Sequence, residues 1–364
     1  MMSFRMPRVV ALIVALWCSL AVSAHAITYD LVPVGNAGNA NDPSTGGVRG
    51  AVAYDYQIGT YDVTIGQYTA FLNAVAATDT YSLYNANMAT NLNVAGISQA
   101  GFPGSYTYSA IAPSGTTPAG ASSPGNRPIT YVSWFDGARF SNWMANGQPT
   151  GAQDSTTTEN GAYNLTNWTS GTAPAKNVMN PNTGAAPTFF IPNDNEWYKG
   201  AYYAPTLKSG TGGYYTYATQ SNDMPGNIIG SGSNQANWNT GNGFSVTQSG
   251  DNDPNQNYLT DVGAFSNSGS FYGTFDQSGN VFQWNDLDGT AGLGRGLRGG
   301  NWLVNIPLSL SRSYSGTEFA TYEGYNVGFR LAAPAAIPEP STCASLLAGL
   351  ACGGYTMFRR RRAR

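Results

Sequence analysis

Arg298-Gly299-Gly300-Asn301-Trp302 decides how this chain is read, and Asn326-Val327-Gly328-Phe329-Arg330 closes the same unit further on. Two adjacent glycines let the backbone turn through φ > 0, where a side chain would clash. The flanking arginine and tryptophan then anchor the turn to something buried. The chain is only 10% charged, so Arg298, Arg330 and Arg127 are expected as buried forks on carbonyls, or on carboxylates such as Glu196. Trp134, Trp197, Trp284 and Trp302 are expected as plates in the core.

Outward from that turn, residues 262–265, 281–284, 296–302 and 328–331 read as short strands. Residues 28–34 and 54–61 read as strands at the other end of the chain, and residues 189–192 as a strand entering a turn. Residues 67–76 carry Tyr68, Phe71, Leu72 and Val75 at helical spacing. Thr64 is their N-cap, with Gln67 completing a capping box. A second helix is expected over 135–146, burying Ala138, Phe140, Trp143 and Met144. A third is expected over 195–204, capped by Asp194 or Asn195. The polar, glycine-rich stretch 80–125 reads as a surface excursion. Residues 151–187 read as loop with a short hairpin around 163–165, and residues 209–257 as mostly turn. No internal repeat of fixed period is present.

Composition narrows the chemistry. The only histidine is His25, and the cysteines are Cys18, Cys343 and Cys352. Between Ile27 and Thr342 there is no thiol and no imidazole. Ser-His-Asp and Cys-His catalysis are therefore excluded there, as are disulfides and the usual zinc, haem and iron–sulfur sites. The 45 glycines and 23 tyrosines imply aromatic cores under much loop and turn. A net charge of -3 leaves no basic footprint for nucleic acid.

The two ends read as addresses. Arg5 and Arg8, an apolar run over 9–20, and Ala24-His25-Ala26 form an export signal over residues 1–26, with the mature chain starting near Ile27. Ile337-Pro338-Glu339-Pro340 precedes a weakly apolar stretch over 341–358. Arg359, Arg360, Arg361, Arg362 and Arg364 follow, as a positive-inside stop. Residues 336–364 resemble the PEP-CTERM sorting signal of Gram-negative bacteria. That resemblance implies transient anchoring in the inner membrane, an exosortase-type enzyme as partner, and delivery to the cell surface or extracellular matrix. Between the two ends lie about 310 residues, enough for one large domain or two small ones, with no apolar run long enough to span a membrane.

Five segments in order resemble the formylglycine-generating-enzyme (sulfatase-modifying factor) domain family. They are Tyr56-Gln57-Ile58-Gly59-Thr60-Tyr61-Asp62-Val63-Thr64; Arg127-Pro128-Ile129 with Val132-Ser133-Trp134; Ile191-Pro192-Asn193-Asp194-Asn195-Glu196-Trp197; Gly279-Asn280-Val281-Phe282-Gln283-Trp284; and the Arg298 and Asn326 stretches. The resemblance implies one α+β domain over residues 27–335. Its fold would be compact, with little regular secondary structure, and related to C-type lectins.

The same resemblance implies two active-site cysteines binding copper(I) shortly after the Gly-Gly turn. Their positions fall here at Val304 and at Leu308 or Ser309. Valine has no donor atom and serine is a poor copper(I) ligand, so copper is not expected. The three-histidine iron branch of the superfamily falls for want of histidine. Family members that work through carboxylates would point to Glu318 and Glu323, which read more simply as solvated loop acids.

The resemblance also implies two structural calcium ions. One corresponds to the side chains of Asn237 and Asp251, with Trp238 and Asp253 near the backbone positions. The other corresponds to Asp276, with the carbonyls of Gln277, Gly279 and Val281. Hard oxygen donors on irregular loops suit calcium. Gln283 stands where the family usually has an acid, which implies a changed network.

Three functions are compatible with these residues. The first is a non-catalytic binding or structural module outside the cell, displaying Tyr- and Asn-rich loops to surface glycans or a matrix polymer. The second is an oxidoreductase using a cysteine-independent site. The third, a carboxylate-pair hydrolase, has no motif behind it. The missing thiols lean the reading away from an enzyme.

Overall fold

Each of the three longer helices starts where a capping side chain and the residue three places on exchange hydrogen bonds with each other's backbone. The computed structural model describes residues 26–118, 120–166 and 171–335. Apart from Ala26, the expected export signal lies outside these residues, and so does the expected sorting tail. Helix α1 (Ile65–Val75) is capped by Thr64 with Gln67, α2 (Trp134–Ala145) by Ser133 with Asp136, and α3 (Asp194–Tyr202) by Asn193 with Glu196. The third cap corrects the expected Asp194 or Asn195. Three cap-forming residues stand in a row there, and the reciprocal Glu196 selects Asn193.

Eleven short strands are present among the described residues: β1 (Leu31–Val34), β2 (Tyr56–Gly59), β3 (Ile97–Ala100), β4 (Thr107–Ala110), β5 (Tyr203–Ala204), β6 (Gly213–Tyr214), β7 (Phe282–Asn285), β8 (Gly294–Arg298), β9 (Gly316–Phe319), β10 (Val327–Phe329) and β11 (Ala332–Pro334). One sheet runs β1-β2-β11, antiparallel throughout. A second runs β10-β7-β8-β9, with β10 parallel to β7 and the other pairs antiparallel. β3–β4 and β5–β6 are separate antiparallel pairs. This is a mixed α+β fold with little regular structure, as expected.

The main core forms where α1 and α2 meet β10. Phe71 and Phe140 stand edge to face with centroids 5.3 Å apart, and Phe140 meets Phe329 in the same way at 5.5 Å. All three are fully buried. Each such side chain contributes about 1.5–3 kcal/mol by leaving water, and ring pairs add about 0.5–1.5 kcal/mol. Trp134, Trp197, Trp284 and Trp302 are all buried, as their expected role requires.

Several expectations are corrected. The stretch 80–125 is not only a surface excursion. Its β3–β4 hairpin lies on α1, buries Ile97 and Tyr108, and bonds Asn73 Nδ2 to the Tyr108 carbonyl at 2.9 Å. Among the described residues no hairpin forms around 163–165. Tyr163 is instead held by the Asn142 side chain and by Asp286. Residues 262–265 are turn, and residues 189–192 contribute only a bridge between Phe190 and Ala332. Glu196 is no partner of the arginines; it closes the α3 cap and accepts the Tyr54 hydroxyl at 2.7 Å.

Candidate functional site

The Arg-Gly-Gly turn is fixed from both ends. Gly299 (φ 98°) and Gly300 (φ 74°) occupy the left-handed region. A Cβ on Gly299 would lie 3.1 Å from the Gln277 carbonyl, and one on Gly300 would lie 3.1 Å from Leu310 Cγ. Arg298 grips Asp194 with Nε and Nη2 and donates through Nη1 to the Tyr314 carbonyl at 2.6 Å. Arg330 donates to Gln283 Oε1 at 2.7 Å and to the carbonyls of Gly59 and Phe275, with Asp62 3.3 Å away. Arg127 serves three carbonyls, those of Ala95, Ile111 and Ser123. All three arginines are buried forks, as the sequence implies.

Beyond the turn, Asn301 Oδ1 accepts from the amides of Leu303 and Val304, curling the chain inward. The Trp302 ring stacks on Tyr258, with centroids 4.9 Å apart and planes 3° from parallel. Val304 is half-buried and packs against the main core. A 3-10 turn over Pro307–Leu310 then sends Leu308 outward, 57% exposed, and Ser309 inward, 5% exposed. Ser309 Oγ is already committed to the Ile306 carbonyl at 2.8 Å. The residues at the two expected thiol positions thus offer a hydrocarbon and one hydroxyl donating within its own turn.

The carboxylates near this segment serve other ends. Glu318 is exposed on β9. Glu323 accepts from Asn85 Nδ2, and burial raises its pKa. Asp136, under the α2 cap, is pushed up to about 8, first by burial and then by the charge of Glu323. Sequence reasoning missed two further buried groups. Arg139 pairs with Glu159 through both oxygens, at 2.7 and 3.0 Å. Asp286 accepts from Trp134 Nε1 and the Tyr163 hydroxyl, each at 2.7 Å, with Arg295 3.3 Å away. The available signal was the rarity of charge on this chain, which makes each carboxylate beside an aromatic segment a candidate for burial.

The residues expected at the two calcium positions behave differently. Asn237 is buried and donates to the Tyr258 carbonyl and to Asn280 Oδ1, both at 2.9 Å. The Trp238 carbonyl already accepts from Asn227 and Ser245. Asp251 and Asp253 are exposed, and their loop is tied to the Tyr258 hydroxyl. In this first set the acids face solvent, and Asn237 spends its Nδ2 inside.

At the second position Asp276 (φ 60°) accepts the Gly263 amide at 2.7 Å. With Gln277 and Ser278 it lines a cavity of about 10 Å³, room for one water or one ion. Gly279 bonds the Gly299 carbonyl at 2.7 Å, and Val281 is fully buried. Gln283 joins this loop to the arginine network, donating to the Asp276 carbonyl at 2.9 Å. Asp276 and Gln277 thus border this cavity, whereas Gly279 and Val281 are not among its walls. Among the described residues no three Asp, Glu, His or Cys side chains gather around a metal-sized space.

Residues 31–335 match the sulfatase-modifying factor enzyme 1-like domain. No curated protein matches the chain. Among solved structures, CarF is 18% identical over 85% of this chain and 99% of its own, with a TM-score of 0.46. Treponema denticola variable protein 1 is 15% identical over 86% and 97%, also at 0.46. PvdO from Pseudomonas aeruginosa is 15% identical over 78% and 81%, at 0.37. With its matched region running almost from β1 to the end of the described residues, the chain belongs to the FGE-sulfatase family.

Proposed function

We propose that this chain is an exported, surface-displayed member of the family that binds or scaffolds and does not oxidise. The observation that carries the reading is Val304, a side chain without donor atoms, packed on the core at the first expected thiol position. Ser309 at the second position is consumed by its own turn. A copper(I) centre needs soft ligands, and this segment supplies none. The alternative, a cysteine-independent oxidase, would need carboxylates converging here, whereas Glu318 points to solvent and Glu323 is engaged with Asn85.

The remaining parts of the proposal come from the ends and the loops. Export and surface delivery rest on the leader and on the Pro-Glu-Pro tail, with an exosortase-type enzyme as processing partner and the tail as the only membrane contact. The ligands are glycans or a matrix polymer, and nucleic acid is not among them. Calcium at Asp276 stiffens the loop behind the Arg-Gly-Gly turn. The test is a copper(I) titration against a competing chelator, run alongside turnover of a cysteine peptide from a sulfatase. Neither uptake nor turnover is expected. Stoichiometric uptake with turnover would overturn the reading.

A further inference from the structure

A groove whose walls do not include Val304 has the makings of a ligand site. It encloses about 300 Å³ between the segment before β2, the start of α3 and the end of β11. That volume is at the small end of ligand pockets. Its walls are Tyr54, Tyr56, Phe190, Pro187 and Pro334, with Lys176 and Glu196 among the polar groups.

The charges on these walls are not equally free. Glu196 is buried and satisfied by the Tyr54 hydroxyl and the Asn193 amide, at 2.7 and 2.8 Å. Asp55 accepts the Ala37 amide at 3.1 Å. Lys176 has neither an ion pair nor a hydrogen bond among the described residues. Its ammonium lies 3.3 Å from the centroid of the Phe190 ring. The groove therefore presents one ammonium, held over the Phe190 ring and drawn by the charges of Glu196 and Asp286 but hydrogen-bonded to neither, with the Tyr54 side chain half exposed at its edge.

We infer that this groove binds a carboxylate-bearing sugar of an acidic polysaccharide, with Lys176 pairing the uronate and the Tyr54 ring carrying the sugar face. An acidic peptide would bring the same charge, but it is the poorer fit. A peptide strand gains its affinity from main-chain hydrogen bonds along a free edge. The outer edge of β11 is already bonded to Phe190, at 2.7 and 2.9 Å, and Pro334 has no N–H to give. Ring faces and one ammonium need no such edge. Tyrosine supplies a rigid, amphipathic contact surface at little cost in conformational entropy.

This inference rests on the binding reading above and narrows it to one site and one ligand class. The full chain is titrated with an oligogalacturonate, with maltohexaose as neutral control and acetyl-Ile-Pro-Glu-Pro-amide as acidic peptide. Binding of the oligogalacturonate alone is expected. It should weaken at least tenfold in Lys176→Gln and in Tyr54→Ala, with a smaller salt dependence in the former. Lys176 is exposed, so Lys176→Gln should fold, with only a small fall in Tm from the lost contact with the Phe190 ring. Failure to bind the oligogalacturonate would overturn the inference, as would equal binding by both variants or binding of the peptide instead. Each of these outcomes leaves the copper and turnover test of the non-catalytic reading intact, so the two proposals fail separately.

Discussion

Arg298 and Asp194 are locked face to face, both carboxylate oxygens gripped by one guanidinium. This pair joins the Gly-Gly turn to the first turn of α3, and Arg49 adds a second cation to Asp194 from the loop before β2. Three distant stretches of chain thus meet on one acid.

The first prediction concerns that meeting point. The Arg298 side chain is 1% exposed and that of Asp194 is 12% exposed. Removing Asp194 leaves Arg298 charged, buried and without an acid, which costs about 3–5 kcal/mol. Asp194→Ala should lower the unfolding free energy by that amount in urea titrations, with an unchanged m-value. Arg298→Lys should recover only part of the loss, since an ammonium cannot make the two-pronged contact. A loss below about 1 kcal/mol for Asp194→Ala would remove the pair from its structural role.

A second prediction follows from Asp136 and Glu323. Burial raises both acids above their ordinary values, Asp136 to about 8. A carboxyl raised on folding holds its proton more tightly in the native state. Its contribution is therefore present at low pH and is lost as pH rises from the unfolded value near 4 through the folded value. Other groups face the same pocket: Arg139 opposes the shift of Asp136, and Asp79 reinforces that of Glu323. Thermal stability should fall between pH 5 and about 8. Asp136→Asn, whose amide oxygen can still accept within the α2 cap, should flatten that fall. A profile unchanged by Asp136→Asn would place the titration elsewhere.

These elements differ in how far the sequence announced them. The cap at Thr64 follows a local rule, i to i+3, and is legible from it; the cap at Ser133 obeys the same rule, but its stretch reads as extended chain. The buried forks Arg127, Arg298 and Arg330 were legible because charge is scarce. The segment around Tyr163 was not legible. Its hydroxyl bonds Asp286, 123 residues away, and that long-range contact replaces the hairpin its neighbours suggested. The β3–β4 hairpin was hidden for a related reason. Its strands carry Ser, Gln and Thr on the open face and owe their order to α1 beneath them. At the candidate site, the loss of donors at Val304 was plain from residue type alone. The direction of Ser309 depends on the 3-10 turn after Pro307 and could not be read from spacing.

Calcium gives a third prediction. An ion that binds only the folded state stabilises it by about 2.7 kcal/mol at a hundredfold excess over Kd. Added calcium should raise the Tm of the wild-type chain, EGTA should reverse the rise, and magnesium should substitute poorly. Asp276→Ala should abolish the response, whereas Asp251→Ala should leave it unchanged because Asp251 faces solvent. Loss of the response in Asp251→Ala alone would move the ion to the first position.

The last prediction uses direction to choose between two alignments of the missing thiols. The second thiol position falls at Leu308 or Ser309, one residue apart, and the Pro307–Leu310 turn points the two side chains opposite ways. A copper(I) site needs both sulfurs on one side of the turn, beside the half-buried residue 304. Val304→Cys combined with Ser309→Cys should therefore gain copper(I) affinity, seen as competition with a chelator and as a thiolate-to-metal absorption band. Val304→Cys combined with Leu308→Cys should gain little, since the second thiol would stand in solvent. Equal gain by both pairs would mean that the turn reorganises freely. In that case the inward hydroxyl of Ser309 would have no bearing on how this scaffold lost its metal.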